Sequence, residues 1–235
     1  ITCRDWSSDV CSSDLPFQRK MKIYKKSDVC VLCGNAPATT RDNVPPGSVF
    51  NRPHPSDLVR VPSCFECNNK ASALDEKFGV YLSLHVGDDT ENGMELYAKK
   101  IKPTLDHNKR LRRTIVDGIF PVSLRSTEGK NLGNAHAVLW DSESHDRVIE
   151  RTIRGLHYYH TGVILGERAR VKVQYLKSLD RKIMEMFQRY PIFTMGGRQF
   201  MYKFMFSPDH PLLSAWLFQF HERKWSSGHV EPIMP

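Results

Sequence analysis

The sequence predicts an α+β protein of two unlike parts: a small irregular N-terminal module that needs a staple, then a larger region of amphipathic helices and antiparallel strands. Three observations predict it. Cys30 to Cys67 is rich in Pro, Asn and Gly and too short of apolar residues to build a core of its own. Apolar residues recur at helical spacing through much of the stretch after Ser72. Near the end the period changes to two: Phe200, Tyr202, Phe204 and Phe206 alternate with Met201, Lys203 and Met205, and Trp216, Phe218 and Phe220 alternate again.

Length and charge bound the rest. A chain of 235 residues with 40% hydrophobic and 26% charged content suits one large or two small globular domains. Lys and Arg outnumber Asp and Glu by 34 to 26, a formal charge of +8, which favours polyanionic partners. No apolar run reaches the roughly 18 to 20 residues of a membrane span, so a soluble, cytoplasmic protein is expected.

Taken in order, residues 1–15 stand apart, because Arg4 to Leu15 reads as a translated sequencing-library adapter and is set aside from fold reasoning. Cys3 and Cys11 go with it. The four cysteines that remain form two Cys-x-x-Cys pairs with no thiol left over, a pattern of metal ligation suited to a reducing compartment. Residues 16–28 are a basic lead-in carrying Arg19, Lys20, Lys22, Lys25 and Lys26, read as a solvated tail.

Cys30-Val-Leu-Cys33-Gly34 is a knuckle in which glycine lets the backbone turn tightly toward sulfur, and Cys64-Phe-Glu-Cys67 supplies the second pair. Four thiolates close a tetrahedral zinc site with no open position for water, so the expected zinc is structural. Thr40 to Pro46 reads as a short strand entering a proline turn. His54, between Pro53 and Pro55, reads as a surface-loop residue, although it could swing toward a neighbouring site. Ser72-Ala-Leu-Asp75 has the form of a capping box opening a helix that Gly87 closes. The module is placed at 29–87 and the α+β region at 88–235, with the boundary near Gly87 to Gly93.

Further helices are expected over Glu91 to Lys102 and His107 to Val116, separated by Pro103. Lys109, Arg110, Arg112 and Arg113 form the densest basic cluster and are candidates for phosphate contact, with Lys70 a further one near the last cysteine pair. A strand is expected over Ala135 to Trp140, an amphipathic helix from Asp146 to Thr161 ending at Gly162, and a second helix from Val171 to Arg189. His157 and His160 read as packing residues of a helix end, and the terminal aromatic stripes as a buried sheet face. Pro208 and Pro211 mark the connection between two adjacent antiparallel strands.

Over Val29 to Phe78 the chain resembles the HNH, or ββα-metal, nuclease superfamily, in particular its four-cysteine members such as the phage Holliday-junction resolving endonucleases. The elements that carry the resemblance are Cys-x-x-Cys-Gly, Thr40-Arg-Asp42 followed by Val44-Pro-Pro, Val61-Pro-x-Cys-x-x-Cys-Asn68, and the helix after it. The C-terminal region, notably Ile153 to His160 and Trp216 to Trp225, also looks like that of bacterial and phage proteins of this type. The resemblance implies a ββα-metal module in which Asp42 and Asn68 coordinate one Mg²⁺, or Mn²⁺, at the scissile phosphate of a nucleic acid, expected to be DNA. Asp75 and Glu76 lie where the family helix often supplies a further contact.

The resemblance also places a histidine after the acid as general base, and here that position is Asn43. A carboxamide cannot accept a proton at physiological pH, and loss of a general base costs about 10² to 10⁴ in rate. Two functions are therefore carried forward: an HNH-like endonuclease impaired at Asn43, and a catalytically inactive zinc module that binds DNA or a protein partner.

Overall fold

In the computed structural model the described residues are 27–84, 90–210 and 212–233. Residues 1–15, nearly all of the basic lead-in, Gly87 and Pro211 lie outside them. The chain opens with β1 (Thr40–Asn43) and β2 (Arg60–Ser63), an antiparallel pair in which Thr40 faces Ser63 and Asp42 faces Val61. Cys64 then starts α1 (Phe65–Asn69), its Sγ accepting from the Cys67 N–H at 3.4 Å.

The helix read from the capping-box pattern is α2 (Ser72–Ser83), but the box itself does not form. Ala71 occupies the cap, the Ser72 hydroxyl donates to the Asn69 carbonyl at 2.9 Å, and the Asp75 carboxylate is turned to Arg151. A guanidinium is a stronger partner for a carboxylate than a backbone N–H that solvent can also satisfy.

Next come α3 (Glu91–Leu96), a wide π turn over Tyr97–Ile101, α4 (Lys102–His107) and α5 (Lys109–Asp117). The break expected at Pro103 falls instead at Asn108. Pro103 lies within a continuous helical run, directly after the π turn in which the Lys102 N–H bonds the Tyr97 carbonyl, and such a wide turn accommodates a residue that lacks its own N–H, while the Asn108 side chain caps α5 by accepting from the Leu111 N–H at 3.0 Å. β3 (Ile119–Arg125) and β4 (Asn131–Val138) form a separate hairpin, of which only the second strand is expected from sequence. β3 is exposed along nearly all its length and shows no alternation to read.

α6 (Ser142–Thr161) ends at Gly162, which takes the left-handed conformation its glycine predicts (φ 75°). The single helix expected over Val171 to Arg189 is instead β5 (Ala169–Leu176) and α7 (Arg181–Phe187). Val171, Val173 and Tyr175 alternate with Lys172 and Gln174, a period of two, and this segment pairs along its whole length with the last strand. β6 (Phe193–Met195), β7 (Phe200–Phe206), β8 (Ser214–Phe220) and β9 (Lys224–Pro232) complete an antiparallel sheet of order β5-β9-β8-β7-β6. The two aromatic strands are neighbours as expected, with Phe204 opposite Trp216 and their rings stacked at 4.9 Å.

α6 lies across this sheet. Val148, Ile149, Ile153 and Leu156 are buried with Phe200, Tyr202, Trp216 and Phe218, and the same cluster takes in Cys30, Val31, Val44, Val61 and Phe78. Each such side chain contributes about 1.5–3 kcal/mol on full burial, so the module draws much of its hydrophobic stabilisation from the region expected to be separate. The contact is close because Gly155 has no side chain: a Cβ there would stand 2.5 Å from Val44 Cγ1. One turn earlier on the same line of the helix is Arg151.

Candidate metal centre and adjoining acidic site

The four cysteines meet as their spacing predicts. Their Sγ atoms lie within 4.8 Å of one another, with Cys30 and Cys64 buried and Cys33 and Cys67 half-buried, and none is in a disulfide. The knuckle is fixed from both sides: Gly34 turns with φ 81° and its N–H reaches the Cys30 carbonyl at 2.8 Å, while the Val31 N–H bonds the Pro62 carbonyl at 2.9 Å. Burial pushes the Cys30 and Cys67 thiols up. At Cys33 burial opposes ionisation too, but the backbone N–H groups of Asn35 and Ala36 prevail and bring it down to about 7. This four-thiol cluster can hold a metal ion, and its closed sulfur set is consistent with structural zinc.

Asn68 directly follows the last of these thiols. Its Nδ2 donates to the Thr40 hydroxyl at 3.2 Å and to the Arg41 carbonyl at 3.3 Å, which pins α1 to β1 on the face that Thr40 shares with Asp42. Asp42, on that face of β1, is 6% exposed. Its carboxylate accepts from Arg151, and the other arm of the same guanidinium donates to Asp75 at 2.6 Å. Sequence reasoning missed Arg151. The signal was a basic residue on the line Val148, Arg151, Gly155, in an otherwise apolar stripe.

Two carboxylates share one cation here, so one negative charge is left uncompensated. Burial raises both acids, more than Arg151 lowers them, and Asp75 is pushed up to about 6 with the charge of Asp42 adding to the effect. The two carboxylates are hard oxygen donors of the kind a divalent ion takes, and they approach one another across the guanidinium. In this structure Arg151 supplies the positive charge between them.

Asn43, the next residue on β1, accepts from Arg60 Nε at 3.2 Å through Oδ1. His54 is exposed, as its proline-flanked loop predicts, but its ring lies over Gly47 on the same side as the Asn43 amide. Lys100 ties this loop down by donating to the Gly47 and Phe50 carbonyls; burial and Arg52 lower its pKa to about 8.

The basic candidates are less organised. Lys70 is exposed and ion-paired with Glu66 one turn back on α1. Lys109, Arg110, Arg112 and Arg113 are all exposed on α5, whose cap Asn108 donates to Glu76 of α2 at 2.8 Å. Glu76 is thus used in joining helices and is not part of the Asp42, Asp75 and Arg151 cluster. His157 and His160 are packed against Phe206 and Phe204 respectively, and the aromatic stripes of β7 and β8 form an inward sheet face. Among the described residues no helix is long and apolar enough to cross a membrane. Comparison with known proteins returns no match: no family model fits the chain, and neither a curated protein nor a solved structure is similar to it.

Proposed function

We propose that this protein is an HNH-like endonuclease, a metal-dependent hydrolase of nucleic-acid phosphodiester bonds, expected to act on DNA. In this reading zinc on Cys30, Cys33, Cys64 and Cys67 fixes the frame, and Asp42 and Asn68, with Asp75 beside them, hold Mg²⁺ or Mn²⁺. What supports the reading is a strand-strand-helix unit in which Asn68, one peptide bond beyond the last sulfur ligand, bonds the strand that carries Asp42, while Asp42 and Asp75 face one another across Arg151. A divalent ion there would supply Lewis-acid stabilisation of charge on the phosphate.

The chain's own groups do the rest. Asn68 is oriented by Thr40 and the Arg41 carbonyl. Arg151 bridges the two acids in the resting protein, offsetting one of their charges, and, released from Asp42, supplies a bidentate donor for a phosphate. Plasmid nicking with added Mg²⁺ or Mn²⁺ tests this. The protein or its Asn43→His variant should cut and Asp42→Ala should not; if neither of the first two cuts, the nuclease reading fails.

A second reading draws on one observation, the Arg151 bridge, which already satisfies both acids. It makes the protein a catalytically inactive zinc module that binds DNA or a protein partner. DNA held through phosphates must dissociate steeply as salt rises, so salt-insensitive or absent DNA binding points to the protein partner.

A further inference from the structure

Successive residues of a strand point to opposite faces, so Asn43 leaves β1 on the side away from Asp42, beside its cross-strand partner Arg60. The groups gathered on that side are donors. Arg60 Nε donates to Asn43 Oδ1 at 3.2 Å, which leaves Nδ2 as the free end of the amide. A Cβ on Gly47 would lie 3.5 Å from that Nδ2, 2.9 Å from His54 Cε1 and 3.4 Å from His54 Nε2, so the amide, the imidazole and the bare backbone of Gly47 border one small space. Lys100 reaches the same loop from the π turn and donates to the Gly47 and Phe50 carbonyls. Those two bonds occupy both carbonyls and leave the ammonium one N–H to spare.

No counter-charge accompanies these cations. Glu95 is held by Lys99 and Asn51, and Asp57 accepts from the Gly196 N–H at 3.0 Å. Among the described residues, none of Arg52, Arg60 and Lys100 is ion-paired with a carboxylate. Like charges drawn together repel, and Lys100 shows part of that cost: burial and the charge of Arg52 bring its pKa down to about 8. Burial and the charges of Lys100, Arg52 and Arg60 lower His54 too, and a neutral imidazole still donates through one ring N–H.

We propose that Asn43, Arg52, His54, Arg60 and Lys100 form an oxyanion site for a phosphate group, separate from the carboxylates on the other face of β1. The charged oxygens of a phosphate accept several hydrogen bonds at once, and a guanidinium meets them with two parallel N–H groups. Asn43 is here a donor. An amide that cannot act as a base suits an anion, which a carboxylate at the same position would repel. The phosphate is either one of a nucleic-acid backbone or a free phosphate or phosphomonoester. The site needs neither cutting nor a divalent ion, so it stands or falls apart from the nuclease reading.

The test uses the zinc-loaded full chain, Arg52→Gln and Asn43→Asp, with no divalent ion added. Inorganic phosphate, and separately a random-sequence DNA duplex, are titrated while the Asn43 side-chain amide and the His54 Cε1 proton are followed by NMR. Duplex affinity is also measured across salt concentrations. Arg52 is exposed and Asn43→Asp keeps an oxygen for Arg60, so both variants should fold as the unchanged chain does. Phosphate should shift both resonances, and each variant should bind it about 10-fold more weakly or worse. A duplex that shifts the same resonances, with a salt slope that falls by up to about 0.9 in Arg52→Gln, identifies a nucleic-acid backbone as the source. Phosphate shifts that are lost in the variants while duplex binding is unchanged identify a free phosphate or phosphomonoester. Absence of a shift with both phosphate and duplex, or shifts of the His54 proton that persist undiminished in both variants, overturns the site whether or not plasmid is nicked.

Discussion

The four thiols come from two short segments, each a pair separated by two residues, and both lie within the module they stabilise. The carboxylates of Asp42 and Asp75 also sit on the module, but the cation between them arrives on α6, 109 and 76 residues further along the chain. Both clusters gather groups that repel one another when ionised. The cysteine cluster is closed and turned inward, whereas the acid cluster borrows its counter-charge from a helix packed onto it. A locally encoded, closed set of thiols suits a frame, and in the function proposed above it is the cation between the acids that is exchanged.

The largest expected effect is at the closed cluster. Structural zinc in small modules is worth on the order of 10 kcal/mol in apparent binding free energy. Chelation of the purified protein, or Cys64→Ser, should lower the unfolding midpoint by more than about 10 °C, since 1 kcal/mol shifts a domain of this size by about 2–4 °C. Elemental analysis should find one tightly held zinc per chain. A protein free of zinc and equally stable would remove the contrast altogether.

The acid cluster should respond less, and reversibly. Arg151→Leu leaves two carboxylates buried without their cation and should cost about 3–5 kcal/mol. Millimolar Mn²⁺ should recover part of that loss in Arg151→Leu and little in the unchanged protein. Equal destabilisation with and without Mn²⁺ would make Arg151 a fixed structural ion pair.

How much of this was readable from sequence follows the same division. Each Cys-x-x-Cys pair, β1, the aromatic pair β7 and β8, and the end of α6 at Gly162 have a cause lying within a few neighbouring residues, and each was legible. The basic residue at 151 lies in the apolar line of an amphipathic helix, but nothing local says which carboxylates it will meet. The approach that brings it to Asp42 depends on Gly155 lying against Val44. β5 was misread because a basic edge strand, paired along its length on one side only, can pass for a helix face, and the capping box because a tertiary partner outcompeted a local one.

A smaller effect comes from pH, and α6 again carries it. Burial lowers His157 to about 4 and, through the aromatic packing around it, His160 to about 4 as well. Both are neutral in the fold, so the stability they protect is present above the unfolded value near 6.5 and is lost as pH falls toward 4, by up to roughly 3 kcal/mol each. Asp75 has the opposite sign: its raised pKa favours the fold at low pH and that contribution fades as pH rises through about 6. Burial raises Asp42 in the same sense as Asp75 and lowers His145 and His221 in the same sense as His157 and His160, so four histidines outweigh two carboxyls and urea midpoints should fall between pH 6.5 and 4. His157→Phe should flatten that fall, and Asp75→Asn should steepen it.

The smallest effect on stability is expected at the surface. Replacing Lys109, Arg110, Arg112 and Arg113 by Gln should leave the unfolding midpoint within about 1–2 °C. If α5 contacts phosphates, the salt dependence of DNA binding should drop by up to about 0.9 in slope for each contact removed. An unchanged slope would confine the nucleic-acid surface to the module.

The most direct test of the central contrast is Mn²⁺ binding followed by electron paramagnetic resonance in the zinc-loaded protein. One exchangeable Mn²⁺ site that is lost in Asp42→Asn, with the zinc content unchanged, is the predicted result. Absence of Mn²⁺ binding, or binding that Asp42→Asn leaves intact, would contradict it.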